Sequence, residues 1–159
     1  MKKRKTSLEI ELEKYYYSMR MLKQLTTELA MAKEKYDNKL NGLMPGFDYA
    51  SIRSKGRKNS SPTERAAILL ADNYSKELDR ISERLNAERR IIARIQEMVD
   101  KADLTGQERE YIRLRYFEMN KLVKIEQKMY CSHSTLKRLK KSALEKLEVV
   151  YKLYYQRAG

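Results

Sequence analysis

Apolar side chains recur every three or four positions through most of this chain, which is the spacing of one face of a helix. Between 8 and 40 the positions Leu8, Leu12, Tyr15, Met19, Leu22, Thr26, Leu29, Lys33, Tyr36 and Leu40 step by four and three throughout. Only Thr26 and Lys33 interrupt the stripe, so the segment predicts a heptad seam over four repeats. Thr6, with Glu9 three residues on, is placed to open this helix as a capping box. The pattern returns at Ala71, Tyr74, Leu78, Ile81, Leu85, Glu88, Ile92, Ile95, Val99 and Ala102. Ser61 as N-cap, Pro62 at the first helical position and Glu64 two residues further mark the start of that second helix. Helices of about 34 and 40 residues would be about 50 and 60 Å long at 1.5 Å per residue. Neither can bury its stripe alone. An antiparallel hairpin is the simplest solution, and dimerisation through the same stripes is the rival.

The periodicity changes after 103. Thr105 followed by Glu108 is another capping box, and Tyr111, Ile112, Leu114, Arg115 and Phe117 continue an amphipathic helix to about Glu118 or Met119. "KLVKIEQKM", 121–129, is a short second helix with Leu122, Ile125 and Met129 on one face. A third helix follows a tight turn, with Leu136, Leu139, Ala143, Leu147 and Val150 inward and Tyr154 as a continuation. The chain therefore divides into a long-helix oligomerisation region, 1–103, and a smaller domain, 104–159. The fold class expected is all-α: a long antiparallel hairpin or coiled coil, then a helix-turn-helix domain.

Composition agrees with long helices, since the 159 residues include five Gly, two Pro and no Trp. The longest apolar run, "AAILLA" at 66–71, falls far short of the roughly 20 residues that span a bilayer. With no signal-peptide core and a single cysteine, the chain reads as intracellular, in the cytoplasm, with no membrane partner. Charge narrows the partner further. The net charge is +13, and 133–144 carries four bases and no acid. Nucleic acid is the leading polyanion for such a chain. A basic linker, 41–62, holds Gly42, Pro45, Gly46 and Gly56 together with Arg53, Lys55, Arg57 and Lys58. It reads as a solvated connection, with phosphate contact as the sharper alternative.

Candidate chemistry concentrates at "MYCSHSTLKR", 129–138, which holds the only cysteine and the only histidine. A catalytic pair or metal site is the first thought. The helical register favours another use. A helix-turn-helix needs apolar residues at the end of its first helix, after its turn and twice in its second helix, and Ile125, Met129, Cys131, Leu136 and Leu139 fill those places. Cys131 then acts as a small buried hydrophobe and Ser132 as an N-cap. His133, Ser134, Thr135, Lys137, Arg138 and Lys141 remain on the outer side, where short polar side chains reach base edges and cations meet phosphates. Lys140 joins that division of contacts, and Arg113 and Arg115 are placed to clamp the flank. One Cys and one His fall short of the four ligands of a zinc site, and no P-loop or nucleophile–base pair is present. No catalytic residue, metal or cofactor is expected, and the chain does not read as an enzyme.

"LTGQEREYIRLRYFEMNKLVKIEQKMYCSHSTLKRLKKSALEKL", 104–147, resembles region 4 of bacterial sigma-70-type factors. The likeness lies in its leucine–threonine opening, in Glu108 with Arg109, in Arg115 with Tyr116, and in the closing Ala143, Leu144, Lys146 and Leu147. The layout of the whole chain is similar to the ArpU/RinA-type phage transcriptional regulators. That resemblance implies a sequence-specific double-stranded DNA-binding regulator, an activator of phage late genes in the bacterial host cell, with host RNA polymerase as a further partner. Carried onto this chain, the promoter-reading positions fall on His133, Ser134, Lys137 and Arg138. The chain departs from the pattern at Tyr130, where glycine is usual, and at Glu126, where a small residue is usual. The heptads imply a homo-oligomer, with a dimer favoured so that two half-sites add their affinities. Two further readings compete: the DNA-recognition subunit of a phage packaging terminase, and a coiled-coil adaptor that does not bind DNA.

Overall fold

The computed structural model describes residues 5–42 and 61–154 with their side chains, and the backbone of 43, 155 and 156. The basic arm at Arg53, Lys55, Arg57 and Lys58 lies outside the described residues. Within them every regular element is helical: α1 (Ser7–Leu43), α2 (Pro62–Lys101), α3 (Gly106–Ile112), a π-helical turn (Arg113–Phe117), α4 (Leu122–Met129) and α5 (His133–Gln156). No helix among them is long and apolar enough to cross a membrane. Three of the helix starts are capping boxes, as their sequences predict. The Glu9 amide donates to the Thr6 hydroxyl at 3.2 Å, and the Thr6 amide to the Glu9 carboxylate at 3.0 Å. The same reciprocal pair joins Ser61 to Glu64 at 2.8 and 3.2 Å, and Thr105 to Glu108 at 2.8 and 3.3 Å.

The chain divides into two compact units, Leu22–Ala87 and the combination of Met1–Met21 with Glu88–Gly159. The boundary expected at 103/104 is therefore not where the core ends. Leu8 and Leu12 of α1 and Ile95, Met98, Val99 and Ala102 of α2 share one buried cluster with Tyr111, Ile112, Ile125, Leu136 and Leu147. The ends of the long helices have apolar side chains to spare, and the three short elements bury too little by themselves.

In the unit Leu22–Ala87 the two long helices run in opposite directions. Glu28 accepts from Arg80 at 2.9 Å, and the Tyr36 and Tyr74 rings stack with centroids 4.2 Å apart. The predicted stripe of α2 is the observed one, with Ile81 and Leu85 buried here and Ile92, Ile95, Val99 and Ala102 buried in the other unit. On α1 the register differs. Met19, Thr26 and Lys33 are exposed, while Ser18, Leu25 and Ala32 are buried. The seam passes through Tyr15, Ser18, Leu22, Leu25, Leu29, Ala32 and Tyr36. It keeps the heptad spacing and needs neither Thr26 nor Lys33 inside. Each stripe is buried in part within the chain, with Tyr15, Leu22, Leu29 and Tyr36 of α1 and Ala71, Tyr74 and Leu78 of α2 half-buried. Leu25→Ala should cost about 2 kcal/mol in urea unfolding, and Thr26→Ala less than about 0.5. Equal costs would return the seam to its first register.

The π turn is the other departure. In a regular helix Ile112, Leu114 and Tyr116 spread around the axis. Here the Glu118 amide donates to the Arg113 carbonyl, five residues back, at 3.0 Å. The wider turn brings Tyr111, Ile112, Leu114 and Tyr116 all into the core. Arg115 and Phe117 are half-buried at its margin, where Phe117 stacks on Tyr15 at 3.9 Å.

Candidate nucleic-acid interface

α4 and α5 meet through Ile125 and Leu136, both fully buried, with Met129, Cys131 and Leu139 packed against the same cluster. These five fill the locking positions that the sequence assigns to them. α4 stops because Tyr130 turns left-handed, at φ 50° and ψ 44°. The amides of Tyr130 and Cys131 then both donate to the Glu126 carbonyl, the second at 3.2 Å, closing the turn as a Schellman-type cap. Ser132 caps α5, since its hydroxyl accepts from the Thr135 amide at 3.3 Å and its carbonyl from the Leu136 amide at 3.0 Å. The same hydroxyl lies 2.9 Å from that of Ser134 and 3.0 Å from that of Thr135.

This geometry resolves the cysteine–histidine proximity. Cys131 is half-buried on the core side, while the His133 ring is exposed and its Nδ1 lies 2.7 Å from the Glu126 carboxylate. Glu126, the residue that departs from the small-residue pattern, therefore holds the first side chain of α5 and lends its carbonyl to the turn.

Behind the outer face, α5 is fixed by two carboxylates from other helices. Glu9 of α1 accepts from Lys140 at 2.6 Å and from the Tyr116 hydroxyl at 2.9 Å. Burial pushes its carboxyl up, but Lys140, the Thr6 amide and Tyr116 outweigh that and hold it at about 2. Glu108 of α3 accepts from Ser142 at 2.5 Å and Lys146 at 2.9 Å. Burial again opposes the shift, and Lys146, Ser142 and the Thr105 amide bring Glu108 down to about 2. Each capping-box glutamate thus completes a helix N-terminus and anchors a lysine of α5. Tyr111 lies nearby, its hydroxyl pushed up to about 12 by burial.

The predicted cations consequently separate into two groups. Lys140 is committed to Glu9. Arg113 pairs with Glu110 at 2.5 Å and with Glu118, and Arg115 donates to the Asn120 carbonyl at 2.9 Å. These three brace the domain. Lys137 and Arg138 are exposed and have no ion pair among the described residues, while Lys141, also exposed, reaches Glu145 only at 4.0 Å. Lys121 and Lys124, at the start of α4, are likewise exposed without an ion pair among the described residues. Sequence reasoning passed over this pair. The available signal was a lysine before and within the first turn of the shorter helix. Of the tyrosines in the long helices and α5, Tyr15 stacks on Phe117, and Tyr154 lies under the Lys101 ammonium at 5.1 Å.

Comparison with protein-family models, curated proteins and solved structures finds no match.

Proposed function

We propose that this chain is a sequence-specific double-stranded DNA-binding regulator of transcription, an activator of phage genes, built as a helical hairpin followed by a sigma region 4-like helix-turn-helix. The observation that carries the proposal is the sorting of charge on α5. Lys140 and Lys146 are neutralised by Glu9 and Glu108, whereas Lys137 and Arg138 have no ion pair among the described residues and stand beside His133 and Ser134 on the face opposite the core. Solvated cations grouped on one face attract polyanions, and a row of phosphates that binds them releases its condensed counterions. α5 enters the major groove, with His133, Ser134 and Arg138 toward base edges and Lys137 and Lys141 toward phosphates. Lys121 and Lys124 approach the backbone on one side. Host RNA polymerase is the second partner in this proposal.

Two copies of the chain reading two half-sites is the assembly we favour. In this proposal the long helices α1 and α2, whose seams stay half-exposed at Tyr15, Leu22, Leu29 and Tyr36, supply the dimer contact. Selection of bound duplexes from a random DNA pool, followed by footprinting, tests the proposal. The expected result is an enriched motif with two related halves, and affinity that falls as salt rises. Absence of any enriched motif or salt-dependent binding would return the chain to the adaptor class. An enriched site with no effect on transcription, bound by a ring of subunits, would place it with packaging terminases.

A further inference from the structure

Both turns that join the short helices use a left-handed residue where glycine would be unstrained: Met119 at φ 54° and Tyr130 at φ 50°. Their side chains differ in what they gain from it. Met119 is half-buried, so contacts with its surroundings offset the strain. Tyr130 is 96% exposed, and among the described residues its ring and hydroxyl have no hydrogen bond or ring contact. An aromatic ring left in water contributes nothing to packing. By the needs of the fold alone, glycine is the better residue at 130. Strain kept without internal compensation points to a use outside the fold.

Its position says which use. Tyr130 stands two residues before the Ser132 cap of α5, on a turn closed by the Glu126 carbonyl. The ring is therefore projected from a fixed point at the end of α5 where His133 and Ser134 are exposed. We propose that Tyr130 is a DNA-contacting residue, its hydroxyl donating to a phosphate oxygen at the edge of the groove and its ring lying against the adjoining deoxyribose. This inference rests on the DNA-binding function proposed above. The contact is to the backbone, so it contributes affinity that is independent of sequence.

The test uses the full chain and a mixed-sequence DNA duplex at fixed salt, with Lys137→Ala as control. Tyr130→Gly should melt about 3 °C higher, because the backbone strain is relieved. It should nevertheless bind the duplex about five-fold more weakly, the scale of one lost hydrogen bond with its packing. Tyr130→Phe, which keeps the ring and loses the hydroxyl, should fall between the two, and Tyr130→Asn, which tolerates the left-handed turn, should bind as Tyr130→Gly does. Unchanged DNA affinity in Tyr130→Gly, alongside weakened binding by Lys137→Ala, would overturn the inference and leave the function standing. A lower melting temperature in Tyr130→Gly would also overturn it, by showing that the ring supports the fold. Failure of the unaltered chain to bind the duplex would remove the function and this contact together.

Discussion

Glu108→Ala should destabilise the chain by about 2 kcal/mol at neutral pH, since it breaks a pair in which the carboxylate is buried and Lys146 is 36% exposed, so that the ammonium left behind is partly solvated. The same change removes half of the α3 capping box and the acceptor for Ser142. Urea unfolding followed by circular dichroism measures the loss. Glu108→Gln separates charge from shape, because it retains an acceptor but cannot pair with an ammonium. The pH dependence has a definite sign. The Glu108 carboxyl lies at about 2 in the folded chain against an ordinary 4.5, so its folded value is depressed. The stabilisation it contributes is complete above about pH 4.5 and is lost as pH falls toward 2. Glu9, at about 2 in the folded chain, acts in the same window. The stability gap between the unaltered chain and Glu108→Gln should therefore close between pH 4.5 and 2. A gap that persists at pH 2 would show that the carboxylate charge is not what holds α5.

Replacement of Lys137 and Arg138 together by alanine should weaken binding to the selected DNA site by about 100-fold, with little change in melting temperature. Both side chains are exposed and have no ion pair among the described residues, so their removal leaves no buried charge behind. The single changes divide the effect. Arg138→Ala should lose affinity for the selected site more than for random DNA, as loss of a base contact does. Lys137→Ala should lose both alike and lower the salt slope by about one. Lys140→Ala is the informative contrast, because its ammonium belongs to Glu9. It should lower stability first, with loss of DNA affinity only as a consequence. Equal loss on selected and random DNA for Arg138→Ala would refute the division of contacts.

What was legible in the sequence was mostly local. The capping boxes at Thr6, Ser61 and Thr105 and the Ser132 cap each join residues three apart, so the chain specifies them without help from its fold. The stripe of α2 was equally legible, because its apolar positions admit one helical face. The locking residues Ile125, Met129, Cys131, Leu136 and Leu139 followed from the same periodicity. Tyr130 stood out as a residue in a glycine position, and its left-handed backbone is what that position requires.

The register of α1 was not legible in full, since Met19 and Ser18, or Thr26 and Leu25, are neighbours that an isolated helix cannot choose between. The antiparallel segment of α2 makes the choice by covering Leu25 and Ala32. The π turn was hidden for a related reason: one widened turn gains the burial of Tyr116 and Leu114 together, and that gain exists only once a core is there to receive them. The partners of Lys140, Arg113 and Arg115 were decided in the same way. Sequence by itself determined that this chain is helical, strongly basic, and ends its second short helix at Tyr130. Only tertiary structure decided which cations are paired among the described residues, because ion pairs such as Glu9 with Lys140 form between residues at opposite ends of the chain and depend on where the helices pack.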